Sequence, residues 1–205
     1  SLHDALPICH IIEVKDYTEL RVVGRTRDDA AGEAFDKAAR AMGMPYPGGI
    51  HLDKRAEDGN PEAFLLPRPR VDGAPYDFSF SGLKTAVVNL IHNASQKGET
   101  LPAADLSASF RKAVVGCLVE NFQKAARDLG YTRLVTAGGV SANSRLRLEL
   151  TKLCEKNNWA LFMPPLSLCG DNAAMVGAQG YYEFQKGHLA GLSLNACAAM
   201  SIEGG

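Results

Sequence analysis

The sequence predicts an α/β fold with a parallel strand pair in its second half. Residues 133–185 read strand, helix, strand, helix, the order that builds a βαβ unit. Before them, Asp105–Leu129 carries Phe110, Val114, Val115, Leu118, Val119, Phe122 and Ala125 at three- and four-residue steps, the stripe of an amphipathic helix. The strand pattern begins with two short Ile/Val-rich runs, His10–Val14 and Leu20–Gly24, separated by Asp16-Tyr17-Thr18, which reads as a β-hairpin.

The remaining elements follow in order. Ala30–Met42 has helical spacing, with Ala34, Ala38 and Met42 on one face and Phe35 and Ala39 beside it. Asp28 and Asp29 are placed to cap that helix, and Pro45 and Pro47-Gly48-Gly49 end it. A short helix is expected near Ile50–Glu57, followed by a proline-rich excursion through Pro61, Pro67, Pro69 and Pro75. Phe78-Ser79-Phe80-Ser81 alternates like a strand, and a helix then runs from Gly82 to about Asn93. Ser95–Pro102 is a linker, and Gly130 closes the long helix. Strands are expected at Arg133–Ala137 and Ala160–Met163, and helices at Ser141–Lys156 and Asn172–Gln185.

Composition narrows the function classes. At 205 residues, 46% hydrophobic and 22% charged, the chain has enough apolar material for a sizeable core. A net charge of −1 gives no global signature of a nucleic-acid binder, so any RNA contact would use a local patch. Arg68, Arg70, Lys84, Arg111, Lys112, Arg145 and Arg147 are the candidates for such a face. No apolar run is long enough to cross a bilayer, so no membrane partner is expected. The five cysteines are scattered and never form CxxC, which argues against a disulfide framework or zinc knuckle and for a reducing, cytoplasmic setting. Cys117, on the apolar side of the long helix, is expected to be a buried structural thiol. Ser1–Cys9 has neither the positive start nor the apolar stretch of a signal peptide and is expected to be foreign to the domain.

Three segments can carry chemistry. In Val135–Asn143 a strand delivers Gly138-Gly139 to its carboxyl end and a helix starts at once, with Ser141 the expected cap. The carboxyl ends of parallel strands are where α/β folds bind ligands, and Asn143 offers both a donor and an acceptor. A tight turn with no ligand satisfies the same spacing, so the motif leaves both readings open. Asp28–Lys37 places Asp29, Glu33, Asp36 and Lys37 at helical offsets beside Ala30-Ala31-Gly32. Such acids suit Mg²⁺ or ligand hydroxyls, and equally a solvated helix start. Asp171, in Leu168–Met175, is placed at a helix start, where capping is the default role of an Asp. Ser81 and Lys84 could face the same cleft. With no HxxxH or HxH among the five histidines, no complete metal site is encoded.

Five segments in order, DDAAGEAFDKAAR, YPGG, DFSFSGLKT, TAGGVSAN and CGDNAAM, resemble the tRNA N6-adenosine threonylcarbamoyltransferases, a universal family once called O-sialoglycoprotein endopeptidases. The resemblance covers residues 10–205. It implies an actin-like, sugar-kinase-like ATPase fold of two related lobes, with this chain supplying mainly the second lobe and the hairpin at its start. It also implies transfer of a threonylcarbamoyl group from threonylcarbamoyl-AMP to N6 of the adenosine beside the anticodon of tRNAs reading ANN codons. Carried over residue by residue, Asp36, Gly49 and Asn143 would hold the nucleotide or its acyl group, with Glu33 nearby, and Asp171 would be a metal ligand. The metal would be iron or zinc, acting as a Lewis acid. The implied partners are tRNA, a paralogous dimer partner and a small ATPase subunit. The family's two-histidine motif and SGGHT-type phosphate loop, which precede the equivalent of His10, have no counterpart here. The expectation is therefore a partial domain, inactive alone. A sugar kinase of the same fold and a non-catalytic scaffold paralogue are the competing readings. The first would need a catalytic Asp and a sugar pocket, and the second should have lost Asp36, Gly49, Asn143 and Asp171.

Overall fold

The computed structural model describes residues 9–195 and 202–203. Strands β1 (His10–Asp16) and β2 (Glu19–Arg25) form the expected antiparallel hairpin, with register shifts after Ile11 and Val14. The chain then forms α1 (Ala31–Ala41), α2 (Gly48–Arg55), α3 (Ser81–Gln96) and α4 (Ala103–Leu129). Strand β3 (Arg133–Val135) pairs in parallel with β4 (Ala160–Phe162) around the crossover helix α5 (Ser144–Asn157). Helix α6 (Ala173–Gln185) follows. The expectation about Ser1–Cys9 lies outside the described residues except for Cys9. That residue continues the hairpin, its carbonyl accepting from Thr26 N–H at 3.0 Å.

The core lies between α1, α2, α3 and α4. Phe35, Leu52, Phe80, Leu83, Val87 and Phe110 are buried there, with Phe35 and Phe110 edge to face at 5.5 Å, an arrangement that suits the ring quadrupoles. Cys117 joins this core, as its place on the apolar stripe predicts. A second cluster packs Val115 of α4 against Leu146, Leu150 and Leu153 of α5, and so fixes the helix that follows the Gly-Gly turn.

Three local expectations give way to tertiary contacts. Phe78–Ser81 forms no strand. It makes one parallel bridge, Phe78 to Thr26, and then enters α3. Its alternation comes from Phe78 and Phe80 both turning into the core and stacking at 5.8 Å. Asp28 and Asp29 do not cap α1, whose N-cap is Ala30 with no side-chain bond. Asp28 instead serves α3. Its carboxylate accepts from Phe80 N–H at 2.7 Å, Ser81 N–H at 3.3 Å, Ser79 Oγ–H at 2.5 Å and Ser81 Oγ–H at 2.8 Å. Asp29 pairs with Lys37 at 2.7 Å. Ser141 does not cap α5, because a 3-10 turn over Gly139–Ala142 delays the helix. Its hydroxyl donates to the Gly138 carbonyl, and the cap is Asn143.

The Asp28 cluster has a consequence for pH. Burial raises its pKa, but the four donors outweigh burial and hold the carboxyl below its ordinary value. A carboxylate depressed in the folded state adds stability above its unfolded pKa and loses it as pH falls through the folded one. Asp28→Asn is therefore expected to flatten the acid limb of a stability-against-pH curve below about pH 4. An unchanged acid limb in urea titrations would count against this assignment.

Candidate functional site

Two of the sequence-predicted residues meet directly. Helices α1 and α2 cross closely: a Cβ on Gly48 would sit 2.5 Å from the Ala39 Cβ. That approach lets the Asp36 carboxylate accept from Gly49 N–H at 2.9 Å. One turn further along α2, Asp53 reaches Asn143. Its carboxylate accepts from the Asn143 side-chain amide and the Ser144 N–H, both at 2.9 Å. Asn143 Oδ1 meanwhile accepts from Leu146 N–H at 2.9 Å and caps α5. Asp36, Gly49 and Asn143 are thus tied to one short helix.

Asp53 was not legible as a site residue. In sequence it is one acid in the stretch His51-Leu52-Asp53-Lys54-Arg55. Its partners lie far along the chain: Arg111 Nη1 donates to its carboxylate and to its carbonyl at 2.9 Å, 58 residues away. Arg111 also donates to the Ala56 carbonyl at 3.0 Å. With side chains 17% and 11% exposed, Asp53 and Arg111 form a largely buried, multiply bonded pair at the junction of α2, α4 and α5.

The Gly-Gly turn is open. A Cβ built on Gly138, Gly139 or Gly170 would meet no atom within 4 Å. Gly138 has φ +84, a conformation that favours glycine. The start of α1 abuts the same turn, with Val140 Cγ2 3.3 Å from where a Cβ on Gly32 would stand. Arg147 brings the loop after β4 to this end of the sheet. It donates to the Ser141 and Pro164 carbonyls, each at 3.0 Å. The exposed backbone therefore gathers at the carboxyl ends of β3 and β4, the ligand-binding end of parallel α/β sheets.

Glu33 and Asp171 stand outside this junction. Glu33 forms an ion pair with Lys37 at 2.5 Å, the lysine that Asp29 also holds. Both carboxylates raise the Lys37 pKa through hydrogen bonds. Asp171 is exposed and does not cap α6; Asn172 does, accepting from Met175 N–H at 3.0 Å. Among the described residues no three His, Cys, Asp or Glu side chains come together to hold a metal. Asp171 is a single donor, so these residues do not fit a metal centre by themselves.

Ser81 is engaged by Asp28. Of the seven candidates for a basic face, four stand in ion pairs, Arg68 with Glu120, Lys112 with Glu62, Arg145 with Glu149, and Arg111 with Asp53, and Arg147 is spent on backbone carbonyls. Three of the cysteines are held as thiols by burial. Burial pushes the Cys9 thiol up to about 11 and raises Cys117 and Cys154 as well, and a protonated thiol is a poor nucleophile.

Comparison with known proteins now decides the family. A family model described as tRNA N6-adenosine threonylcarbamoyltransferase matches residues 8–178. The chain belongs to that family. A tRNA N6-adenosine threonylcarbamoyltransferase of Clostridium botulinum (strain 657 / Type Ba4) is 48% identical over 192 residues, 94% of this chain and 56% of its own length. Relatives from Clostridioides difficile (strain 630) and Bacillus cereus (strain ZK / E33L) are 46% and 47% identical over similar spans. The chain therefore spans a little over half the length of the threonylcarbamoyltransferases that it matches. Among solved structures, full-length HypF in its phosphate- and nucleotide-bound form aligns with TM-score 0.55 at 17% identity, covering 76% of this chain and 21% of that one. T. kodakarensis HypF aligns with TM-score 0.56 at 22% identity, over 79% and 21%. At such identities the likeness shows the fold alone. The family and these neighbours fit an α/β fold of the actin-like, sugar-kinase-like class. Among the described residues no helix is long and apolar enough to cross a membrane.

Proposed function

We propose that this chain supplies the nucleotide-holding part, mainly the second lobe, of an enzyme that moves a threonylcarbamoyl group from threonylcarbamoyl-AMP to N6 of the adenosine beside the anticodon in tRNAs reading ANN codons. One observation carries the reading beyond family membership. Asp36 and Gly49, which match nucleotide-holding positions, are hydrogen-bonded to each other, and α2 links them through Asp53 to Asn143.

In this reading Asp36 and the Gly49 backbone hold the donor nucleotide, with Glu33 at the edge of the acidic helix. The open Gly138-Gly139 backbone lets the ligand approach closely. Asn143, fixed through Oδ1 as a cap and through its amide by Asp53, presents a rigid edge rather than a mobile side chain. Rigid placement matters because the reaction needs a well-oriented amine more than a protein nucleophile. The adenosine N6 attacks the carbamoyl carbon, the C–N bond forms as the bond to the phosphate oxygen breaks, AMP leaves and N6 loses a proton. Asp171 would serve the family's iron or zinc only with donors from elsewhere, so no step is derived through the metal. tRNA, a paralogous dimer partner and a small ATPase subunit are the partners this reading brings with it.

The test uses a chimera in which this chain replaces the matching part of the Clostridium botulinum relative. The chimera is expected to transfer labelled threonylcarbamoyl groups to an ANN-decoding tRNA. Asp36→Ala is expected to lower kcat/KM at least about 100-fold, the cost of misplacing a reacting group. Residues 1–205 alone are expected to give no transfer. An inactive chimera with native stability, or a fully active Asp36→Ala variant, would sink the reading.

A further inference from the structure

Two loops meet at the carboxyl ends of β3 and β4, and they are held in different ways. The Gly-Gly turn after β3 is tied from several sides. Ser141 Oγ–H donates to the Gly138 carbonyl, while Asp53 and Leu146 N–H fix the two ends of the Asn143 amide. The loop after β4, residues 164–171, has far less. Leu166 and Leu168 are exposed, and Cys169 is its one buried residue. Its own hydrogen bonds close on themselves. Leu168 N–H donates to the Pro165 carbonyl at 2.9 Å, Cys169 N–H to the Leu166 carbonyl at 3.3 Å, and the Cys169 thiol to the Pro165 carbonyl at 3.5 Å. Apart from its continuation into α6, the loop's hydrogen bonds to the rest of the described residues come from Arg147 alone.

The chemistry of the partners explains the match. Pro164 and Pro165 have no N–H, so the start of the loop can only accept. Arginine can only donate, and its planar fork addresses two acceptors at fixed angles. Arg147 stands in the first turn of α5, and helical side chains lean toward the helix N-terminus. That lean carries the guanidinium back to both loops, where it joins the Ser141 carbonyl of the turn to the Pro164 carbonyl of the loop, each at 3.0 Å. A cation in the first turn works against the helix dipole. No acid offsets it, because Arg147 forms no ion pair among the described residues. The stability of α5 therefore does not account for this arginine.

We propose that Arg147 is a positioning residue for threonylcarbamoyl transfer, holding loop 164–171 at a fixed distance from the Gly-Gly turn so that two open glycine backbones, Gly138-Gly139 and Gly170, line one cleft. The proposal rests on the reading of this end as the donor site. The turn, α1 and α2 hold the nucleotide without help from the loop. Losing the clamp leaves the loop its internal bonds but not its place. The expected loss is therefore in the orientation of the reacting group, with nucleotide affinity kept.

Arg147→Lys tests this, because lysine keeps the charge and loses the fork. In the full 205-residue chain, hydrogen exchange at the Leu168 and Cys169 amides is expected to quicken at least about tenfold. The Ser141 and Asn143 amides are expected to change less than about threefold, and α4 to stay protected. In the chimera, kcat is expected to fall at least about 30-fold while the affinity for AMP changes less than about threefold. Unchanged exchange in the loop would overturn the proposal, as would a freed loop with wild-type kcat. A parallel fall in kcat and AMP affinity, or loss of protection in α4, would also overturn it, since Arg147 would then hold the fold as a whole. An inactive wild-type chimera sinks the functional reading and this proposal with it. An active one with any of the contrary Arg147→Lys results sinks this proposal alone.

Discussion

Asp53→Ala is expected to lower folding stability by about 3 kcal/mol, because removing one partner of a buried ion pair leaves the other charge uncompensated. Arg111 keeps the Ala56 carbonyl at 3.0 Å and the Ser144 hydroxyl at 3.3 Å, which places the loss at the lower end of the usual range. The Ser144 N–H and the Asn143 amide lose an acceptor at the same moment. Asp53→Asn keeps the shape and one acceptor and should cost clearly less. Urea unfolding measures both, with a fall in midpoint at unchanged m-value as the signature of a stability effect. In the chimera, Asp53→Ala should also weaken nucleotide binding, because Asn143 loses the bond that orients its amide. A change below about 1 kcal/mol would mean that Arg111 and Asn143 are held adequately without Asp53.

Phe110→Ala is expected to cost about 4 kcal/mol, the usual range for emptying a buried aromatic site. Phe110 is fully buried and touches Phe35 edge to face, so it joins α4 to α1. Domains of ordinary stability hold about 5–15 kcal/mol in all, so the variant is expected to be largely unfolded at modest urea. The effect reaches the site through α1, which carries Asp36. Phe110→Leu fills most of the space and should cost only about 1–2 kcal/mol. Equal urea midpoints for wild type and Phe110→Ala would show that this core does not hold the two helices together.

Much of the architecture was legible because it rests on local periodicity. The stripe from Phe110 to Ala125 gave α4, observed over Ala103–Leu129. Strand, helix and strand in sequence gave the parallel pair β3–β4. Where local pattern misled, a polar or aromatic group chose a partner distant in sequence. Asp28 looked like a cap for the helix that follows it and caps α3 instead, through residues 51 to 53 positions away. Phe78 and Phe80 looked like strand residues because they alternate with serines, yet two rings buried from a loop against a helical core give the same alternation. Ser141 satisfied the capping rule, but the 3-10 turn moved the helix start to Asn143.

The candidate site divides along the same line. Asp36, Gly49 and Asn143 were named from their motifs, and the open glycines at the strand end from their position. Their connection was not legible, because it runs through Asp53 and Arg111, an acid and a base with no distinguishing sequence context. By itself the sequence determined the family, the helices and strands set by a 3.6- or 2-residue period, and the motif residues. The tertiary structure alone decided which polar groups meet. Hydrophobic faces are fixed by the repeat of the backbone and can be read from neighbours. A carboxylate's partner is fixed only when loops of roughly 50 to 90 residues close and bring the donors within hydrogen-bonding reach.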